Sequence, residues 1–202
     1  RTRSLPLYEL VLKFGGEKPR DVVRLAEAHM AQGAFLTART ILEPQEERAG
    51  LDAWGRRALA VCLTQTGDHD RAAQLAEAVM LEDTGNAGFA ATYVDALARG
   101  GDIARIRDGL NRYATLLPSV GLAELRLRIR LADGDYPGAA EILLAQDFGA
   151  YERLYYLCFE TAYAALGAGF TDLADALSER LAAVAPADIF VRLLRIDTFF
   201  RQ

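Results

Sequence analysis

Residues 67–73 read Gly-Asp-His-Asp-Arg-Ala-Ala, residues 101–106 Gly-Asp-Ile-Ala-Arg-Ile, and residues 134–140 Gly-Asp-Tyr-Pro-Gly-Ala-Ala. Their leading glycines belong to a longer series, Gly33, Gly67, Gly101, Gly134 and Gly169, spaced by 34, 34, 33 and 35 residues. Five residues after each stands Ala38, Ala72, Ile106, Ala139 or Ala174, and seven before each stands Ala26, Ala60, Val94, Leu127 or Ala162. Small residues suit helices that cross at about 8–10 Å, where long side chains have no room. Glycine ends a helix readily because it adopts φ > 0 without a Cβ clash. Asp68, Asp102 and Asp135, each next to a glycine, are placed to accept from the free N–H groups of the following helix. Pro118 and Pro186, 17 residues after Gly101 and Gly169, stop the second helix of their units. Each period is a helix–turn–helix unit.

A period near 34 residues with this punctuation resembles the tetratricopeptide repeat. The resemblance implies an all-α fold, a right-handed superhelical stack of about five antiparallel hairpins. It assigns residues 1–17 to an N-terminal helix, either alone or as part of a preceding repeat, 18–186 to five repeats, and 187–202 to a capping or continuing helix. Helices are expected at 5–14, 20–32, 35–43, 51–66, 69–81, 87–99, 102–116, 120–133, 136–146, 151–167, 171–184 and 187–200. The repeats are degenerate. Pro44, followed by Gln45-Glu46-Glu47-Arg48, is expected to cut the second helix of the first unit short and open a loop. Arg56 and Arg126 fall where the family commonly has apolar residues.

One stretch tests the reading. Leu125-Arg126-Leu127-Arg128-Ile129-Arg130-Leu131 alternates strictly, the local pattern of a half-buried strand. On a helix it gives one face of Leu122, Leu125, Ile129 and Ala132, with Leu127 and Leu131 on a second flank. The repeat places a first helix here, packed on two neighbours, so helix is expected.

Composition agrees. The 202 residues are 51% hydrophobic and 25% charged with net charge −5, and alanine and leucine, both strong helix formers, dominate. The chain is long enough for a core without disulfides or metal. Its acidic balance argues against nucleic-acid binding, and no apolar run is long enough for a membrane span. The Ala-rich, Arg-for-Lys bias, with Lys13 and Lys18 the only lysines, reads as the mark of a GC-rich bacterial genome rather than a function. The cytoplasm is the expected compartment, with the periplasm left open.

Residues that carry catalysis are scarce. His29 and His69 are the two histidines and read as a helix-packing residue and a solvated turn residue. Ser4, Ser119 and Ser178 lack the surroundings of a nucleophile elbow. Cys62 and Cys158 lie inside amphipathic helices, where an inert buried thiol is the expectation. Asp68-His69-Asp70 and Asp133-Gly134-Asp135 suggest a metal or sugar-nucleotide site, but capping already accounts for their aspartates. No enzyme, cofactor or metal site is expected.

In the tetratricopeptide family the first helices line an extended concave face that takes a peptide or a partner's helix, and the resemblance implies the same here. Helical spacing puts the residues thirteen, ten and six before each glycine on that stripe. Its polar middle is Arg57, Asp95, Glu124 and Arg128 beside Gly88, Ala91 and Gly121. Trp54 stands near its start, and Tyr156, Phe159 and Tyr163 make its C-terminal end aromatic. Aromatic side chains are frequent binding anchors. The trio also has a simpler role available, packing on the last helix. The lysine and asparagine clamp with which some members hold a C-terminal carboxylate is not expected, since Val23 and Glu27 stand where it would begin. The first functional expectation is therefore a non-catalytic scaffold that binds another protein along this face. The second is an accessory or oligomerisation domain of a larger protein, self-associating through its terminal helices. The lack of an initiator Met and the apolar residues near both ends (Leu5, Leu7, Phe199, Phe200) favour it.

Overall fold

A computed structural model of the chain describes residues 18–48, 50–147 and 152–201. Among these residues there are eleven α-helices and no strand: α1 (Pro19–Met30), α2 (Phe35–Glu47), α3 (Ala53–Gln65), α4 (His69–Glu82), α5 (Ala87–Gly100), α6 (Ile103–Tyr113), α7 (Ser119–Ala132), α8 (Tyr136–Leu144), α9 (Glu152–Gly167), α10 (Thr171–Val184) and α11 (Ile189–Arg201). The segments expected as helices thus fold as helices. The helix expected at 5–14 lies outside the described residues. None of the helices is long and apolar enough to cross a membrane.

The five glycines of the repeat all have left-handed backbones, with φ between 68° and 89°. The residue after each of four of them donates back to a carbonyl five positions earlier: Ala34 to His29, Asp68 to Leu63, Asp135 to Arg130 and Phe170 to Ala165, at 2.9–3.0 Å. This closure of the last helical turn needs the positive φ that an L side chain resists. A Cβ at Gly67 would meet no atom within 4 Å, so backbone conformation, not space, demands glycine there. Side-chain caps open the next helices. Asp135 accepts from Gly138 N at 2.9 Å and Asp102 from Arg105 N at 3.1 Å. Asp52 and Asn86 cap α3 and α5 in the same way. Asp68 is a correction to the capping expectation. Its carboxylate makes no cap bond and is taken by Arg39 Nη2 at 3.2 Å.

Two compact units make up the chain. One runs up to Arg105 and adds Asn111–Pro118; the other comprises Ile106–Leu110 and the residues from Ser119 on. In the first, α1 to α4 each pack on the helix next in the chain, and α3 also touches α1 and α5. In the second, α7 to α10 do the same, with further contacts of α8 with α10 and of α9 with α11. The two small-residue series lie at these contacts. Ala26, Ala60, Ala162, Ala38, Ala72, Ala139 and Ala174 are all fully buried, as are Leu127 and Ile106. Gly55 permits a further close approach, for a Cβ there would lie 2.9 Å from Val23 Cγ2 of α1.

Three further expectations need correction. Helix α2 does not stop before Pro44 but continues to Glu47. Pro44 cannot donate to the Thr40 carbonyl, yet Ala38, Leu42 and Gln45 are buried on either side of it, and this packing holds the turn helical. The apolar face assigned to α7 divides. Leu125 and Leu127 are fully buried, whereas Leu122 and Ile129 line a cavity and Ala132 is exposed. His69 is half-buried rather than solvated. Its ring lies against Gly100, and its Nδ1 is shut off from water without a hydrogen-bond partner among the described residues.

Candidate functional site

In the first unit, Trp54 stands on the first turn of α3, more than half exposed, with its ring edge-on to buried Phe89 of α5 at 4.9 Å. The guanidinium of Arg57, one turn further on, sits 5.7 Å from the Trp54 ring centroid. Its Nε donates to Thr92 Oγ1 at 3.0 Å and to the Gly88 carbonyl at 3.3 Å. Arg57 therefore ties one first helix to the next. Asp95 accepts from Arg99 Nε at 3.1 Å, a pair along one face of α5.

In the second unit, Glu124 is buried on α7 and its Oε1 accepts from Arg153 Nη2 of α9 at 2.7 Å and from Arg128 Nη2 at 3.3 Å. Burying an unpaired carboxylate is costly, and two arginines from two helices offset that cost here. Of the aromatic residues, Tyr156 is exposed and meets Tyr155 edge-on. Phe159 and Tyr163 are half-buried, 4.9 Å apart, and pack toward α11: Phe159 lies 6.2 Å from Phe190 and the Tyr163 hydroxyl 3.5 Å from Asp197. The neighbouring Tyr155 hydroxyl donates to Asp188 at 2.6 Å, and this bond holds the Asp188 carboxyl below its usual range. The structure thus brings Glu124 and Arg128 together, and Phe159 with Tyr163. Trp54, Arg57 and Asp95 belong to the other unit.

The opposite face of α7 carries a feature that stripe spacing did not single out. A cavity of about 830 Å³ opens over α7 and α8. Leu122, Ala123, Ile129 and Ile142 are its apolar lining, and Arg107, Arg126, Arg130, Asp133 and Glu141 its charges. Arg107 is held by both oxygens of Asp133, at 2.6 and 2.7 Å, and Arg130 by Asp135 at 2.6 Å. Arg126 is exposed and has no ion-pair partner among the described residues. The departure of Arg126 from the family's apolar preference was the sequence signal for this place. The other departure, Arg56, pairs with Glu82 at 2.6 Å.

Both thiols are buried. Loss of hydration pushes Cys62 up to about 11 and Cys158 up to about 12, so neither presents a thiolate nucleophile near neutral pH. No family model matches the chain, and no curated protein matches it either.

Proposed function

We propose that the chain is a non-catalytic protein-interaction scaffold of tetratricopeptide-like hairpins, stacked as a right-handed superhelix. Its binding site is the groove over α7 and α8, and its ligand an amphipathic helix or peptide of a partner protein. One observation carries this reading: Leu122 and Ile129 line an open cavity beside Arg126, a cation with no ion-pair partner among the described residues. Apolar surface left in water beside an uncommitted charge favours a ligand with an apolar stripe and a carboxylate. The charged stripe residues are already engaged within their own units. Arg57 and the Glu124–Arg128–Arg153 cluster join helices, which leaves the exposed rings of Trp54 and Tyr156 as additional contacts.

The test is affinity capture with the parent chain, followed by titration of each captured protein against purified variants. Ile129→Glu with Arg126→Glu should abolish binding of the specific partner while the helical circular dichroism stays unchanged. An Arg126→Lys chain should retain most of the affinity. Equal binding by the Ile129→Glu/Arg126→Glu chain would overturn the groove as the site.

A further inference from the structure

The groove over α7 and α8 has five charged side chains in its lining, and three of them are already committed. Arg107 is held by both oxygens of Asp133, and Arg130 by Asp135. Arg126 of α7 and Glu141 of α8 are left. Both are exposed, and neither has an ion-pair partner among the described residues. Their own helices supply none. One turn from Arg126 stand Leu122, Ala123, Ile129 and Arg130; one turn from Glu141 stand Pro137, Gly138, Leu144 and Ala145. Elsewhere the chain does use that spacing, for Arg39 pairs with Glu43, Arg99 with Asp95 and Arg128 with Glu124.

The two charges face the groove at one level. Helices α7 and α8 pack on each other and are joined by a tight turn at Gly134, so they run antiparallel. Arg126 stands six residues before the end of α7 and Glu141 five after the start of α8. At 1.5 Å per residue their levels differ by no more than about 2 Å. Along α7, Leu122 lies one turn before Arg126 and Ile129 one turn after it, and all three line the groove. The lining follows α7 from Ser119 to Asp133, about 21 Å or four helical turns. A slot of that length, walled by helices, suits another helix better than a compact small molecule.

On the reading of this groove as the binding site, we propose that its ligand is a partner's amphipathic helix with a defined charge order. An Asp or Glu, with an apolar residue one turn away on either side, sits on Arg126. A Lys or Arg next to that acid in sequence, about 100° round the helix, faces Glu141. The apolar residues on Leu122 and Ile129 supply contact area, and the charge order supplies selectivity. A helix with the two charges exchanged sets cation against Arg126 and carboxylate against Glu141, and is rejected.

Two alanine-based helical peptides of identical composition test this. One has leucine a turn before and a turn after a glutamate, with a lysine next to the glutamate; the other has glutamate and lysine exchanged. Titrated against the full chain by fluorescence anisotropy, the first should bind at least about tenfold more tightly. Arg126→Glu with Glu141→Arg, which leaves the net charge unchanged, should reverse the preference. Equal binding of the two peptides by the parent, or a preference that the exchange does not reverse, overturns the charge order. Ile129→Glu separates that failure from failure of the groove, with Leu122→Glu in its place should the first variant lose its fold in circular dichroism. If this variant loses both peptides while the parent binds them equally, the groove is the site and the charge order is wrong. If it keeps them, or if the parent binds neither, the groove reading falls and the charge order with it.

Discussion

Arg153 of α9 donates to Oε1 of Glu124 of α7 at 2.7 Å, and Arg128 reaches the same oxygen at 3.3 Å. The acid is buried, its side chain 7% exposed, while those of Arg153 and Arg128 are 41% and 29% exposed. Removing one or other side of such a cluster has unequal consequences. The arginines can return to water, but the carboxylate cannot.

Arg128→Ala with Arg153→Ala should therefore destabilise the fold by about 2–3 kcal/mol, because a buried charge is left without its partners. Glu124→Gln, which keeps the shape and leaves the arginines at the solvent-exposed side of the cluster, should cost less, about 1 kcal/mol. Urea denaturation of the three chains measures the difference. Equal losses would show that the carboxylate is not held by its ion pairs.

Ala72 is fully buried where α4 meets its neighbours. Ala72→Leu should destabilise by about 1–3 kcal/mol through overpacking. A thermal melt with an unchanged midpoint would show that the helices do not cross there.

Gly67 has φ 88° and open space at its Cβ position. Gly67→Ala should cost about 1–2 kcal/mol, all of it backbone strain. Gly67→Asn should recover part of that loss, since asparagine tolerates the left-handed region. Melting midpoints of the two chains decide it.

Pro44 lies inside α2, where it removes one helical hydrogen bond. Pro44→Ala should stabilise the protein by about 1–2 kcal/mol, less than the full proline penalty because the existing turn already accommodates the ring. A lowered denaturation midpoint would mean that the helix does not run through this residue.

Burial raises both thiols from 9.0, Cys62 to about 11 and Cys158 to about 12. The folded chain then keeps protons that the unfolded chain releases. Stability from this source is complete below pH 9 and is lost as pH rises toward the folded values, with a slope of about 1.4 kcal/mol per pH unit for each thiol. Denaturation midpoints between pH 8 and pH 10 should fall less steeply for Cys62→Ala and for Cys158→Ala than for the parent. In the native state both thiols should resist a thiol reagent at pH 8 and react once urea is added.

The helices and their joints were legible in the sequence because they rest on local chemistry that repeats. A left-handed turn needs glycine, so Gly33, Gly67, Gly101, Gly134 and Gly169 marked the turns from their spacing alone. Helix contacts need small or well-packed residues, so Ala38, Ala72, Ala139 and Ala174 marked those contacts. Even the alternating Leu125–Leu131 stretch was placed correctly once the period was given priority over the local pattern. Tertiary structure decided what depends on long-range partners. Whether Asp68 caps a helix or binds Arg39 depends on an arginine 29 residues away. Pro44 ends a helix or lies within one according to the burial of its neighbours. The division of the α7 apolar residues between core and cavity follows from which helices lie alongside. A side chain's spacing gives its direction around its own helix, but its partner is set by the packing of other segments.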